Sequence, residues 1–164
     1  MATPVQPRPA RSFKTSVGIP DDKRAQIVQL LSARLADTID LRTLAKHAHW
    51  NVKGIQFFQL HELFDQIASH LEEHSDLVAE RITALGGLAN GTARHVASNS
   101  SLPEHDLEAI TGEQHVRALA KGLAALVANR AAIDTADSVK LTRICGLWRR
   151  ICRRKCWNNF AGSQ

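Results

Sequence analysis

Residues 45–87 read AKHAHWNVKGIQFFQLHELFDQIASHLEEHSDLVAERITALGG, and two patterns in this stretch decide the fold. Leu60, Phe64, Ile67, Leu71, Val78, Ile82 and Leu85 recur in steps of three, four or seven, which is the apolar stripe of an amphipathic helix. That helix is predicted from near Phe57 to the Gly86-Gly87 pair, and Asn51 with Gly54 separates it from an earlier helix ending near Trp50. The second pattern is polar. At about 100° per residue from His61, Asp65 falls near 40°, Asp76 near 60° and Glu80 near 100°, while the apolar stripe lies between about −60° and −120°. The polar face therefore points out of the subunit's own core.

Upstream, Asp21 and Asp22 follow Pro20 as a helix start, and Ile27, Leu31, Leu35 and Ile39 recur every fourth residue. Downstream of Gly87 comes a polar connection rich in Ser and Asn, with one short helical turn expected near Asp106–Ile110. Thr111 and Gln114 have capping-box spacing for a third helix carrying Val116, Leu119, Leu123, Val127 and Ile133. No segment alternates as a strand would. The fold class is all-α, an antiparallel helical bundle.

The 164 residues suit one domain, and no apolar run approaches the roughly 20 residues of a membrane helix, so a soluble protein is expected. The Pro-rich start resembles no secretion signal, and three Cys without framework spacing fit a reducing cytoplasm. The net charge of +5 misdescribes the chain, because all 16 acidic residues lie at or before Asp137. Residues 1–137 carry 14 Lys and Arg, a net −2, and the remaining seven basic residues follow. Three regions result: a flexible basic tail over 1–20, a helical bundle over 21–137, and a divergent basic Cys- and Trp-containing segment over 138–164.

His49, at the end of the first helix, and His61, Asp65, Asp76 and Glu80 are the candidate metal ligands. His61/Asp65 and Asp76/Glu80 each have the four-residue spacing at which helical side chains meet. Asp65 and Asp76 are eleven residues apart, about 16 Å of rise, so one ion cannot bridge both pairs within a chain. The pairs are, however, symmetric about a point between His70 and Leu71. Two copies packed antiparallel about a two-fold axis would bring His61 to the partner's Glu80 and Asp65 to the partner's Asp76, forming two equivalent sites. Two imidazoles and three carboxylates suit Fe(II), Mn or Zn, and open positions for an oxidant favour redox iron. A plain solvated helix face is the competing reading. His47, His70, His74, His95, His105 and His115 show no comparable arrangement and are read as surface or structural residues.

At these residues the chain resembles the Dps family, the ferritin-like mini-cages of starved bacterial cells. The stretches AKHAHWNVKG, FFQLHELFDQI and EEHSDLVAERITALGG carry the likeness, which extends over nearly all of 16–137. His49, His61, Asp65, Asp76 and Glu80 fall on the family's ligand positions without a gap. The resemblance implies a ferritin-like four-helix subunit, a dodecameric shell and di-iron ferroxidase centres at two-fold interfaces. It implies oxidation of Fe(II) by hydrogen peroxide and storage of ferric mineral, protecting DNA in the cytoplasmic nucleoid; the donor set itself would let Zn or Mn substitute. Trp50 resembles the family's site-flanking Trp, or simply packs the helix end. Arg8, Arg11 and Lys14 in the tail are candidate DNA contacts, weak singly but multiplied over twelve tails.

After AIDTAD the likeness stops. Where the family has a fourth helix ending in something like DKDLWFLEAH, this chain reads SVKLTRICGLWRRICRRKCWNNFAGSQ. Codons can be chosen for Lys140–Asn159 that, read from the third base of the Lys140 codon, give TDKDMWFVEAHMQAKVLE and then a stop. A frameshift, with the preceding loop and the start of the fourth helix deleted, explains the segment, and the coding DNA tests it: codons incompatible with the second frame would exclude it. On that reading Arg149, Arg150, Arg153 and Arg154 are not a DNA patch, and Cys145, Cys152 and Cys156 are not a metal site. Leu141, Ile144, Cys145, Trp148, Ile151 and Cys152 keep helical spacing, so the segment either substitutes for the fourth helix or extends the third. Three functions compete: an iron-oxidising store, a non-enzymatic DNA-compacting protein whose metal face only joins dimers, and an assembly-defective product.

Overall fold

The computed structural model describes residues 12–136, with side chains up to Ala128. Four helices follow one another: α1 (Asp21–Asn51), α2 (Phe57–Ala84), α3 (Ala93–Asn99) and α4 (Gly112–Ala136). Among the described residues there is no strand, only an isolated bridge between Lys53 and Thr111. The all-α class is as expected. Arg8, Arg11, the side chain of Ile133 and the whole divergent segment 138–164, with its substitute fourth helix, lie outside the described residues. The described residues up to Leu126 belong to one compact unit; of a second, beginning at Val127, only the end of α4 is described.

α1 and α2 are antiparallel. Leu31 and Leu35, early in α1, pack against Val78, Ile82 and Leu85, late in α2, while His49 at the far end of α1 stacks on His61 near the start of α2. α2 ends where its glycines dictate. Gly87 N–H donates to Ile82 O at 2.9 Å and Gly86 takes φ 78°, the left-handed closure that favours glycine after a helix. A Cβ on Gly86 would also collide with the Phe13 carbonyl, because residues 12–20 are docked there. Phe13 N–H donates to Gly86 O, Thr15 Oγ1 donates to Ala84 O, and Val17 and Ile19 cover the Leu31–Ile82 cluster. This part of the expected flexible tail is therefore held against the bundle.

α4 begins at the capping box read from the sequence. Gln114 Oε1 accepts the Thr111 N–H at 2.9 Å, and Thr111 Oγ1 accepts the Gln114 N–H at 3.3 Å. The connection before it departs from expectation. Its helix is α3, seven residues too short to show periodicity, and 107–108 form only a turn. This connection is fastened by Asp37 of α1, whose carboxylate is fully buried yet accepts the Ser101 N–H at 2.7 Å and Ser101 Oγ–H at 3.1 Å and pairs with Arg34 at 2.9 Å. Asp37→Ala should cost about 3 kcal/mol, because it removes the acceptor of two Ser101 hydrogen bonds and leaves the largely covered Arg34 guanidinium without its carboxylate. Urea unfolding should show a lower midpoint with an unchanged slope.

Candidate metal centre

Two histidines meet across the α1–α2 crossing. The rings of His49 and His61 stack with centroids 3.6 Å apart and planes 21° from parallel. His49 Nδ1 lies 2.8 Å from the His61 carbonyl oxygen, and His61 Nδ1 lies 2.9 Å from the His49 carbonyl oxygen. A carbonyl oxygen only accepts, so each Nδ1 carries a proton, and in the neutral ring it is Nε2 that carries the lone pair. The two backbones thus fix both tautomers in the form that ligates metal through Nε2.

Asp65 lies one turn beyond His61 on α2. Its carboxylate is paired with Lys46 Nζ at 2.5 Å, and the hydrogen bond from that ammonium holds the acid below its ordinary value of 3.8. Lys46 also lies 5.9 Å from the Trp50 ring centre, within reach of a cation–π contact. Nothing in the sequence pattern singled out Lys46. Among the described residues it is the one cation ion-paired with Asp65, and it would compete with a metal there.

Asp76 and Glu80 are exposed further along α2, eleven and fifteen residues past Asp65, about 16 and 22 Å of helix rise away. The structure therefore brings together His49, His61 and Asp65, and it does not bring Asp76 or Glu80 to them within one chain. Among the described residues, no three or more His, Cys, Asp or Glu side chains form a ready metal site. Lys14 is exposed. The segment that joins His49 to His61 exposes three large apolar side chains: Trp50 is 69% exposed, Ile55 is 102% and Phe58 is 68%.

The other histidines are not all surface residues. His115 is fully buried, and His47 and His105 lie against it, their ring centres 6.3 and 5.9 Å from its own. Burial pushes His74, His105 and His115 below the ordinary 6.5; neighbouring imidazoles add to this for the last two, and Asp106 opposes it at His105. Their protonated forms are disfavoured in the folded chain, so on acidification the unfolded chain takes up these protons first. Their contribution to stability is complete above about 6.5 and is lost as pH falls through the lower folded values. The thermal midpoint should accordingly be lower at about pH 5.5 than at about pH 7.5, as calorimetry can check.

Helices of this length, antiparallel, with imidazoles and a carboxylate at their crossing, define a ferritin-like protein. A model of the ferritin-like domain matches residues 28–140. The "DNA protection during starvation protein" of Agrobacterium fabrum is 36% identical over 129 residues, 77% of this chain and 79% of that protein. DpsA14 from Streptomyces coelicolor superposes with a TM-score of 0.77 at 29% identity, covering 86% of each chain. Dps from Microbacterium arborescens, solved in a high iron form, gives 0.71 at 29% identity over 83% of this chain and 89% of that one. Within the ferritin-like class, the chain belongs to the Dps family. No helix among the described residues is long and apolar enough to cross a membrane.

Proposed function

We propose that this chain is an iron-sequestering mini-ferritin that oxidises Fe(II) with hydrogen peroxide at sites shared between two copies. The observation that carries this reading is the reciprocal Nδ1-to-carbonyl pairing of His49 and His61, which leaves each Nε2 as the nitrogen available to a metal. Asp65 completes one half of the site, and Asp76 and Glu80 of a second copy complete the other. The apolar surface of Trp50, Ile55 and Phe58 beside the histidines is what a partner subunit would cover. A twelve-chain shell in the bacterial nucleoid, ferric mineral inside it, and DNA contacts through Arg8, Arg11 and Lys14 follow as parts of the same reading. Iron in a family relative solved in a high iron form supports iron as substrate, while Mn or Zn would fit the same donors.

In the reaction two Fe(II) ions each give up one electron, the peroxide O–O bond breaks, and its oxygens leave as water after taking up two protons. Carboxylates favour the Fe(III) product, and imidazoles hold Fe(II) more loosely. Two irons consumed per peroxide, with no spin-trapped hydroxyl radical, is the expected result. One iron per peroxide with radical release is the uncatalysed chemistry and would exclude the enzyme reading.

Lys46 acts against this reaction. Lys46→Gln should free Asp65, return its acidity toward the ordinary value and tighten anaerobic Fe(II) binding by up to about tenfold. Unchanged or weaker binding would mean that Lys46 orders the carboxylate and does not block it.

The non-enzymatic DNA-compacting reading draws on exposed Lys14, which follows Arg8 and Arg11 beside the Phe13 anchor. DNA retained on a gel by protein unable to oxidise iron would favour it.

A further inference from the structure

His47, His105 and His115 come from three separated segments: the last turns of α1, the connection after α3, and the first turn of α4. His47 and His49 point in directions about 200° apart around α1, so this group is separate from the crossing described above. The His47 and His105 ring centres are 5.0 Å apart, and the other two separations are 6.3 and 5.9 Å. Phe64 closes the group at 6.2 Å from His115.

Five ring nitrogens here are buried without a hydrogen-bond partner: His47 Nε2 and both nitrogens of His105 and of His115. Each unpaired buried polar atom costs about 1–3 kcal/mol, and native interiors keep few of them. Packing needs alone would be met by aliphatic side chains. Three imidazoles with ring centres 5.0–6.3 Å apart, two of the pairs edge-on, form no ready metal site as they stand but bring three potential lone-pair donors together.

We propose that His47, His105 and His115 form an intrachain site for a zinc-like divalent cation. Three imidazoles on one such ion, at metal–nitrogen distances of about 2.0–2.1 Å, have ring centres about 5–5.5 Å apart. The present separations are within about 1 Å of that, so ligation needs rotation of the rings and a small contraction about the ion. An all-imidazole set suits Zn(II) and its neighbours and rejects Mg(II), Ca(II) and Mn(II), with solvent taking the fourth position. His47 makes one further polar contact, Nδ1 with Asn51 Nδ2 at 3.4 Å. Ligation through Nε2 gives up that long contact and keeps the Asn51 bond to the His47 carbonyl at 2.8 Å. The bound ion would pin the connection before α4 to the end of α1.

The site is complete in one chain, so it does not depend on the two-copy centre proposed above, and the test separates them. Full-length protein is stripped with chelator and dialysed against Zn(II), and bound zinc is counted by elemental analysis. The His49→Ala/His61→Ala variant should retain about one zinc per chain and gain about 5 °C in thermal midpoint with saturating zinc. Adding His105→Ala should abolish both, with helical circular dichroism preserved because His105 is only half-buried and lies outside the helices. His105→Asn, closer in volume and polarity, is the second variant should the Ala substitution loosen the connection. No zinc retained by the first variant, or zinc retained in full without His105, overturns the proposal. Iron oxidation at the parent rate in the His49→Ala/His61→Ala variant, with zinc retained, would overturn only the ferroxidase reading.

Discussion

Replacing His61 and Asp65 together by Ala should reduce peroxide-driven Fe(II) oxidation at least about a hundredfold, to the rate of free iron. Removing even a group that only orients a metal ligand typically costs 10–100-fold, and this variant removes an Nε2 donor and an anionic oxygen outright. The loss should extend beyond the deleted atoms. His61 supplies the carbonyl that fixes the His49 tautomer, and its ring stacks on that of His49. The carbonyl survives in the variant but the stacking partner does not, so His49 loses part of its orientation. Lys46, deprived of Asp65, leaves an unpaired ammonium beside the site that repels Fe(II). The fold should be unaffected, because both side chains are only half-buried and stand outside the Leu31–Ile82 cluster. Stopped-flow absorbance of ferric product, beside circular dichroism and a mass measurement, checks all three parts. Oxidation at the parent rate in folded protein would leave DNA compaction as the surviving function.

Light scattering on a sizing column should give a particle of about twelve chains, near 220 kDa for subunits of 18.1 kDa. Fully exposed Ile55 with Phe58 and Trp50 gives an apolar surface that a lone subunit would leave in water. Phe58→Asp should break the particle, because a buried interface penalises an unpaired carboxylate far more than an exposed helix start does. Iron oxidation should fall with it, since Asp76 and Glu80 then never reach His61 and Asp65. Monomers from the parent protein would mean that the divergent segment 138–164 has cost the chain its shell, and with it the shared site. Dimers would keep the site and lose the store.

Much of this was legible in the chain. The boundaries of α2 follow from a stripe of seven apolar residues and a Gly-Gly stop, and the Thr111/Gln114 box fixes the start of α4. Periodicity reports such things because each residue's burial is set by its neighbours three and four positions away. It does not report α3, which is under two turns long, nor the docking of residues 12–20, where Val17 and Ile19 show no pattern of their own.

The helices, the polar outward face of α2 and the donor types along it can be read from residue identity and local spacing. Which donors meet depends on how the helices cross. The tertiary structure locks His49 to His61 through each other's backbone, sets Lys46 on Asp65, and buries Asp37 under Ser101, 64 residues away. It also gathers His47, His105 and His115 from positions that share no period. The physical reason is that hydrogen bonds and ring contacts act over a few ångströms of space. Which groups come that close across a chain is fixed by how helices cross and connections return, which local spacing does not encode.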